Sequence, residues 1–277
     1  MNPSINIFWF RRDLRLYDNV GLYHALKADK PVVPVFIFDS NILDELEDRT
    51  DRRVEFIHKN LLNLQEKILK KGSTMDIRYG KPIEVFQQLL KDYNVDTVFT
   101  NHDYEPYAKE RDNAIAKLLT ASGVQFKSFK DQVIFERSEV VKDDQKPYTV
   151  FTPYSRKWKS VLSDSHFQSF PSEKLIGNFF QQEPIEVPLL GKMKFKASGI
   201  DFPSSKPNEE IIKHYKEKRD FPGINGTSRL SIHLRFGTIS IRELARVAQS
   251  LSETFLNELI WREFYQMILW HFPQVVD

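Results

Sequence analysis

The residues of this chain that could do chemistry gather in two stretches, FPGINGTSRLSIHLRFGTIS (221–240) and TFLNELIWREFYQMILW (254–270). In the first, Gly223, Asn225 and Gly226 supply a permissive backbone, and Thr227, Ser228 and Ser231 place hydroxyls around Arg229 and Leu230. A tight loop entering a helix presents N–H groups and the positive end of the helix dipole, which suits a phosphate or pyrophosphate. The same residues also suit simple capping of a helix by Thr227 or Ser228, so both readings stand on the residues alone.

The second stretch has helical spacing. Leu256, Ile260, Phe264 and Met267 form a core stripe, while Glu258, Trp261, Arg262 and Tyr265 fall on the other side at i, i+3, i+4 and i+7. A carboxylate, a guanidinium and two flat aromatics on one face suit a cleft that stacks a planar ligand and hydrogen-bonds its edge. They equally suit a helix covered by a neighbour in a larger core. Glu263 lies within the apolar stripe and is expected to hold a partner there, an arginine being the natural choice, rather than to react.

The elements that must carry these residues follow from periodicity. Apolar runs at 5–10, 32–38, 75–79, 95–100 and 124–129 predict strands, and amphipathic runs at 19–27, 52–71, 82–93 and 108–121 predict helices between them. Strand and helix alternate, which predicts a doubly wound parallel α/β sheet over residues 1–135. Pro34 argues against a regular central ladder at its position, or for a strand start or irregularity. The first strand-to-helix turn, FRRDLRLYDN, has no Gly-x-Gly-x-x-Gly, so no nicotinamide cofactor is placed there. Residues 136–207, rich in Pro, Ser, Gln and Lys, predict an inter-domain connector, with KPYTVFTPYSRKWK (146–159) as a docking segment. Residues 208–277 predict helices at 209–219, 229–236, 240–251 and 254–270, in a helical domain that looks cut short at Asp277. Its cleft-side residues Phe264, Ile268 and Trp270 would then be exposed and drive self-association.

Composition sets limits. The 277 residues are 41% hydrophobic and 28% charged, as in ordinary soluble proteins, and the 13% aromatic content suits flat ligands or a dense core. A net charge of +2 is too small to argue for nucleic acid by itself. The local runs SRKWK (155–159) and KHYKEKR (213–219) do interleave cations with aromatics, as backbone-tracking surfaces do, although a solvated basic surface would look the same. The absence of cysteine excludes disulfides, thiolate metal sites and a cysteine nucleophile. No metal is called for, no apolar run reaches membrane-spanning length, and no signal peptide is evident, so a cytoplasmic location is expected.

WFRRDLRLYDN, VFTPYSRKW, RDFPGINGTSRLSIHLRFGTIS and NELIWREFYQ, in this order and spacing, resemble the photolyase/cryptochrome family, and the bacterial pyrimidine-dimer photolyases in particular. The resemblance implies an N-terminal α/β domain, a long connector and a helical domain that binds FAD. It implies that Tyr215, Thr227, Ser228, Arg229, Leu230 and Ser231 cradle the FAD phosphates and ribityl chain, and that Arg262 contacts the flavin, with Asn257 in the same cluster. It further implies that Glu258 hydrogen-bonds a pyrimidine dimer, that Trp261 stacks on it, and that Arg219 meets the DNA backbone. The reaction implied is light-driven repair of damaged DNA by an electron from reduced FAD. A blue-light sensor of the cryptochrome type and a stand-alone α/β interaction module are the alternatives. Relatives that use a folate antenna carry an Asn-Glu pair after the fourth strand, where this chain has Tyr107 and Ala108, so a deazaflavin or no antenna fits equally well.

Overall fold

The computed structural model describes residues 3–276; the chain end at Asp277 lies outside them. Its contacts divide the chain into two units. The first comprises Met1–His102, Glu110–Phe129 and Phe170–Phe202. The second comprises Asp103–Lys109, Lys130–Ser169 and Pro203–Asp277.

The first unit is built on a five-stranded parallel sheet. Its strands are β1 (Ser4–Phe10), β2 (Val32–Asp39), β3 (Asp76–Gly80), β4 (Asn94–Asn101) and β5 (Gln125–Phe129), in the order β3-β2-β1-β4-β5. Between them run α1 (Val20–Lys27), the short α2 (Ser40–Leu43), α3 (Arg52–Leu69), α4 (Pro82–Asp92) and α5 (Pro106–Ala121). β1 and β2 are buried along nearly their whole length, as apolar strands covered on both faces must be. The doubly wound α/β sheet expected from the alternation is therefore present. β2 is an interior strand despite Pro34, because Pro34 pairs with Phe8 of β1 but precedes the first β3 pair, Val35 with Asp76. Local signals set the helices. Asn19 caps α1 by accepting from Leu22 N at 3.1 Å, Asp51 caps α3 from Arg53 N at 2.8 Å, and Pro82 opens α4.

The stretch expected to run as one connector, 136–207, is shared between the units instead. Residues 170–202 belong with the sheet, where Phe180 N donates to Val32 O at 2.8 Å and Ile185 N to Thr74 Oγ1 at 3.0 Å. Phe179, Met193 and Phe195 are buried there, and these few apolar anchors hold a polar, proline-rich segment down.

The second unit holds α6 (Phe151–Val161), α7 (Glu209–Lys213), α8 (Tyr215–Lys218), α9 (Ser231–Phe236), α10 (Ile241–Leu251) and α11 (Glu253–His271). The single helix expected at 209–219 is broken at His214, and the one expected at 229–236 starts at Ser231 because Arg229 takes a left-handed φ of 54°. Tyr154, Trp158, Ile212, Leu244, Ala248, Leu256, Ile260 and Phe264 lie in its apolar core. The expected exposure of Phe264 is overturned: it is 5% exposed, packed against Phe151, Tyr154 and Trp261. Ile268 packs on the same core, and Trp270 lies under the Lys109 and Arg137 cations, at 4.1 and 4.8 Å from its ring centre. No helix among the described residues is long and apolar enough to cross a membrane.

Candidate functional site

α11 starts where Ser252 accepts from Phe255 N at 3.4 Å, and it runs 19 residues with Phe255, Leu256, Leu259, Ile260, Glu263, Phe264 and Met267 buried. Its other face looks into an open cavity of about 480 Å3. Glu258, Trp261 and Tyr265 line it from α11, facing Tyr215 of α8 and the two residues just past that helix, Arg219 and Asp220.

Charge and rings alternate around this cavity. The Arg219 guanidinium donates through Nη1 to Glu258 Oε1, which raises the arginine's affinity for its proton. Arg219 Nε stands 3.6 Å from Asp220, and the guanidinium carbon lies 5.7 Å from the centre of the Tyr215 ring. Burial, and then the Glu258 charge, push the Tyr215 hydroxyl above its ordinary pKa. The Trp261 indole is stacked on Phe151 of α6, with ring centres 3.7 Å apart and planes 5° from parallel. Tyr265 lies against it at 5.5 Å and 25°, and is itself 62% exposed. The result is a cluster of three rings, exposed at Tyr265 and bordered by an ion pair. Such an arrangement can stack a planar ligand and take an anion beside it.

On the buried face of the same helix, Glu263 has the partners expected of it, and these are an indole and two backbone N–H groups, with the Arg262 charge nearby. Its carboxylate accepts from Trp158 Nε1 at 2.6 Å, from Phe135 N at 3.1 Å and from Ile134 N. Burial pushes its pKa up to about 7, against those three donors and the nearby Arg262 charge. It is a structural acceptor that ties residues 134–135 and α6 to α11.

The other expected site residues are distributed differently. Arg262 does not line the cavity with Glu258 and Trp261. Each helical position turns about 100° from the last, so Arg262 sits on the flank, where its guanidinium donates to Gln132 O at 2.7 Å and Leu234 O at 3.3 Å. Asn257 accepts from Ser155 Oγ at 3.5 Å and is also outside the cavity lining. Tyr215, expected with the 227–231 stretch, is instead grouped with Glu258 and Trp261. In that stretch Thr227, Arg229 and Ser231 are exposed, Ser228 is half-buried and Leu230 is buried. Neither Thr227 nor Ser228 caps α9: Leu230 occupies the cap position, with no side-chain cap bond. Ser228 Oγ accepts from Leu230 N at 3.4 Å. The 226–218 approach is tight, and a side chain at Gly226 would run into the Lys218 carbonyl.

Two members of the site were not predicted. Phe151 lies in the docking segment and in the VFTPYSRKW motif, but nothing in its local sequence signals that it underlies an indole 110 residues away. Asp220 carries no signal beyond its place next to Arg219.

A doubly wound parallel sheet, with a helical unit that offers an aromatic, ion-paired cleft, defines the class: an α/β-plus-helical protein. The DNA photolyase family model matches residues 6–174, more than half of the chain. The deoxyribodipyrimidine photo-lyase of a Synechococcus species is 30% identical over 98% of this chain and 61% of its own length. The crystal structure of a class III photolyase from Agrobacterium tumefaciens superposes with a TM-score of 0.81 at 26% identity, covering 99% of this chain and 61% of that one. The chain thus spans about 61% of the length of these relatives. An uncharacterized 31.6 kDa protein of Synechococcus sp. strain PCC 6716 is 31% identical over 95% of this chain and is covered over 100% of its own length. The chain belongs to the photolyase/cryptochrome family.

Proposed function

We propose that this chain carries the lesion-binding wall and phosphate-binding loop of a photolyase that repairs cyclobutane pyrimidine dimers in DNA with reduced FAD as electron donor. The observation that carries this reading is the meeting of Glu258, Trp261 and Arg219 around one open cavity, a carboxylate, an indole face and a cation within reach of the same ligand. Trp261, backed by Phe151, offers a rigid apolar plane on which an extruded pyrimidine dimer can stack. Glu258 accepts hydrogen bonds from the pyrimidine edge, and Arg219 takes a backbone phosphate. A dimer pairs poorly, so extruding it costs less than extruding an intact base.

The donors present fit one side of the cofactor. Thr227, Ser228 and Ser231 bring hydroxyls to the start of α9, whose first turn no side chain caps, and this set suits a pyrophosphate and a hydroxylated chain. Arg229 adds an exposed cation and Leu230 anchors the loop in the core, and the family resemblance adds Asn257 and Arg262 of α11 to the flavin side. Held by these residues, reduced FAD would supply light-driven one-electron chemistry, and the chain's own part would be to bind and orient it beside the lesion.

The test is the visible absorption spectrum of the purified 277-residue protein after incubation with FAD, followed by blue-light illumination with an irradiated oligothymidylate. Retained flavin bands and light-dependent loss of dimers are expected where the pocket is complete. A flavin-loaded protein that leaves the dimers intact would overturn the repair reading. Equal affinity for damaged and undamaged DNA would favour the blue-light sensor, which has no use for a lesion-stacking indole.

A further inference from the structure

The ion pair between Arg219 and Glu258 engages both of the groups that the proposed function gives to DNA. Among the described residues Arg219 is the hydrogen-bond donor to the Glu258 carboxylate, so the group meant for the pyrimidine edge is occupied by the group meant for the phosphate. Both side chains are about one-third exposed, at 34% and 37%, and both line the open cavity. A strand entering the cavity therefore reaches the guanidinium without the fold having to open.

We propose that this pair is a latch that makes the Glu258 carboxylate available only after a backbone phosphate has taken Arg219. The assignment of the two partners rests on the function proposed above; the competition between them rests on the geometry. An ion pair exposed to this degree contributes little and exchanges easily, whereas a phosphate offers the arginine a charge-assisted, bidentate contact. Once Arg219 turns to the phosphate, Glu258 is left with unfilled acceptor positions facing the stacked ring. A damaged base fills them. An undamaged strand, whose bases stay within it, leaves them facing water and loses the pair without a replacement. The latch thus converts one ion pair into discrimination against undamaged DNA, and it denies Glu258 to pyrimidines that arrive without a backbone.

The experiment is a double-mutant cycle on the full 277-residue chain, read by fluorescence anisotropy with a labelled, undamaged 16-nucleotide oligothymidylate between 25 and 200 mM salt. Freeing Arg219 by Glu258→Gln is expected to tighten binding about two- to fivefold, the range of a weak ion pair. Arg219→Ala is expected to weaken it and to reduce the salt slope by about 0.7, one single-strand phosphate contact. In the Arg219→Ala background, Glu258→Gln is expected to have no effect. Glu258→Asp, which keeps the charge but shortens the reach, is expected to tighten binding as Glu258→Gln does. Equal tightening by Glu258→Gln in both backgrounds, or no tightening by Glu258→Asp, would overturn the latch and leave only general charge repulsion. The same titrations with an irradiated strand judge the other assignment. A wild-type chain that binds irradiated and intact strands alike removes the lesion reading, while the cycle on the intact strand still decides the latch.

Discussion

The two units handle polar groups in opposite ways. Where the sheet's strand order reverses, between β1 and β4, doubly wound folds usually bind a ligand. Here the protein's own side chains are bonded to one another at that place. Arg11 pairs with Asp112 at 2.5 Å and donates to Asn101 O, while Asn101 donates to Asp13 and, at 2.8 Å, to Asn19. Asn101 Oδ1 in turn accepts from Gly21 N at 2.8 Å, and Arg11, Asp13, Asn19 and Asn101 are all buried. In the helical unit the Arg219–Glu258 pair is about one-third exposed and its neighbour Tyr265 faces solvent. Groups that satisfy one another in a buried crevice hold a fold together. Groups that share one exchangeable contact at the edge of a cavity remain available to a ligand.

α11 repeats the contrast within one helix, since Glu263 is buried among donors and Glu258 stands at the rim. Glu263→Ala would strand the indole N–H of Trp158 and the backbone N–H groups of Ile134 and Phe135. We expect a loss of about 3–5 kcal/mol, read as a lower urea midpoint of the helical unit. An unchanged midpoint would mean that this network is no firmer than the cleft.

The next effect is one of pH. The folded Glu263 pKa is raised from 4.5 to about 7, so the folded state holds the proton more tightly than the unfolded state. Stability from this group is complete below pH 4.5 and declines as pH rises through about 7, by roughly 3 kcal/mol in all. Denaturation midpoints measured from pH 5 to 8 should fall accordingly, and Glu263→Gln should flatten that slope.

In the sheet unit a methyl at Gly21 would stand 2.8 Å from Asn101 Oδ1, 2.9 Å from Phe8 and 3.0 Å from the Thr100 carbonyl. Gly21→Ala is expected to cost about 1–3 kcal/mol by overpacking α1 on β4, measurable by thermal unfolding. Arg219→Ala, the smallest of the set, should change stability by no more than about 1 kcal/mol, however much it changes DNA binding. A larger loss would place the cleft pair with the structural networks.

Local periodicity was enough to read the five strands, the main helices and the shared face of Glu258, Trp261 and Tyr265, because those features depend on spacings of two to seven residues. It did not read the division of residues 136–207, which turns on a few buried anchors in a polar segment. The three donors around Glu263, the Phe151 ring beneath Trp261 and the carbonyls that hold Arg262 were also decided by the tertiary structure. These partners lie some hundred residues apart in the chain. A sequence pattern reports which face of a helix is apolar; what that face meets is fixed only when distant segments pack.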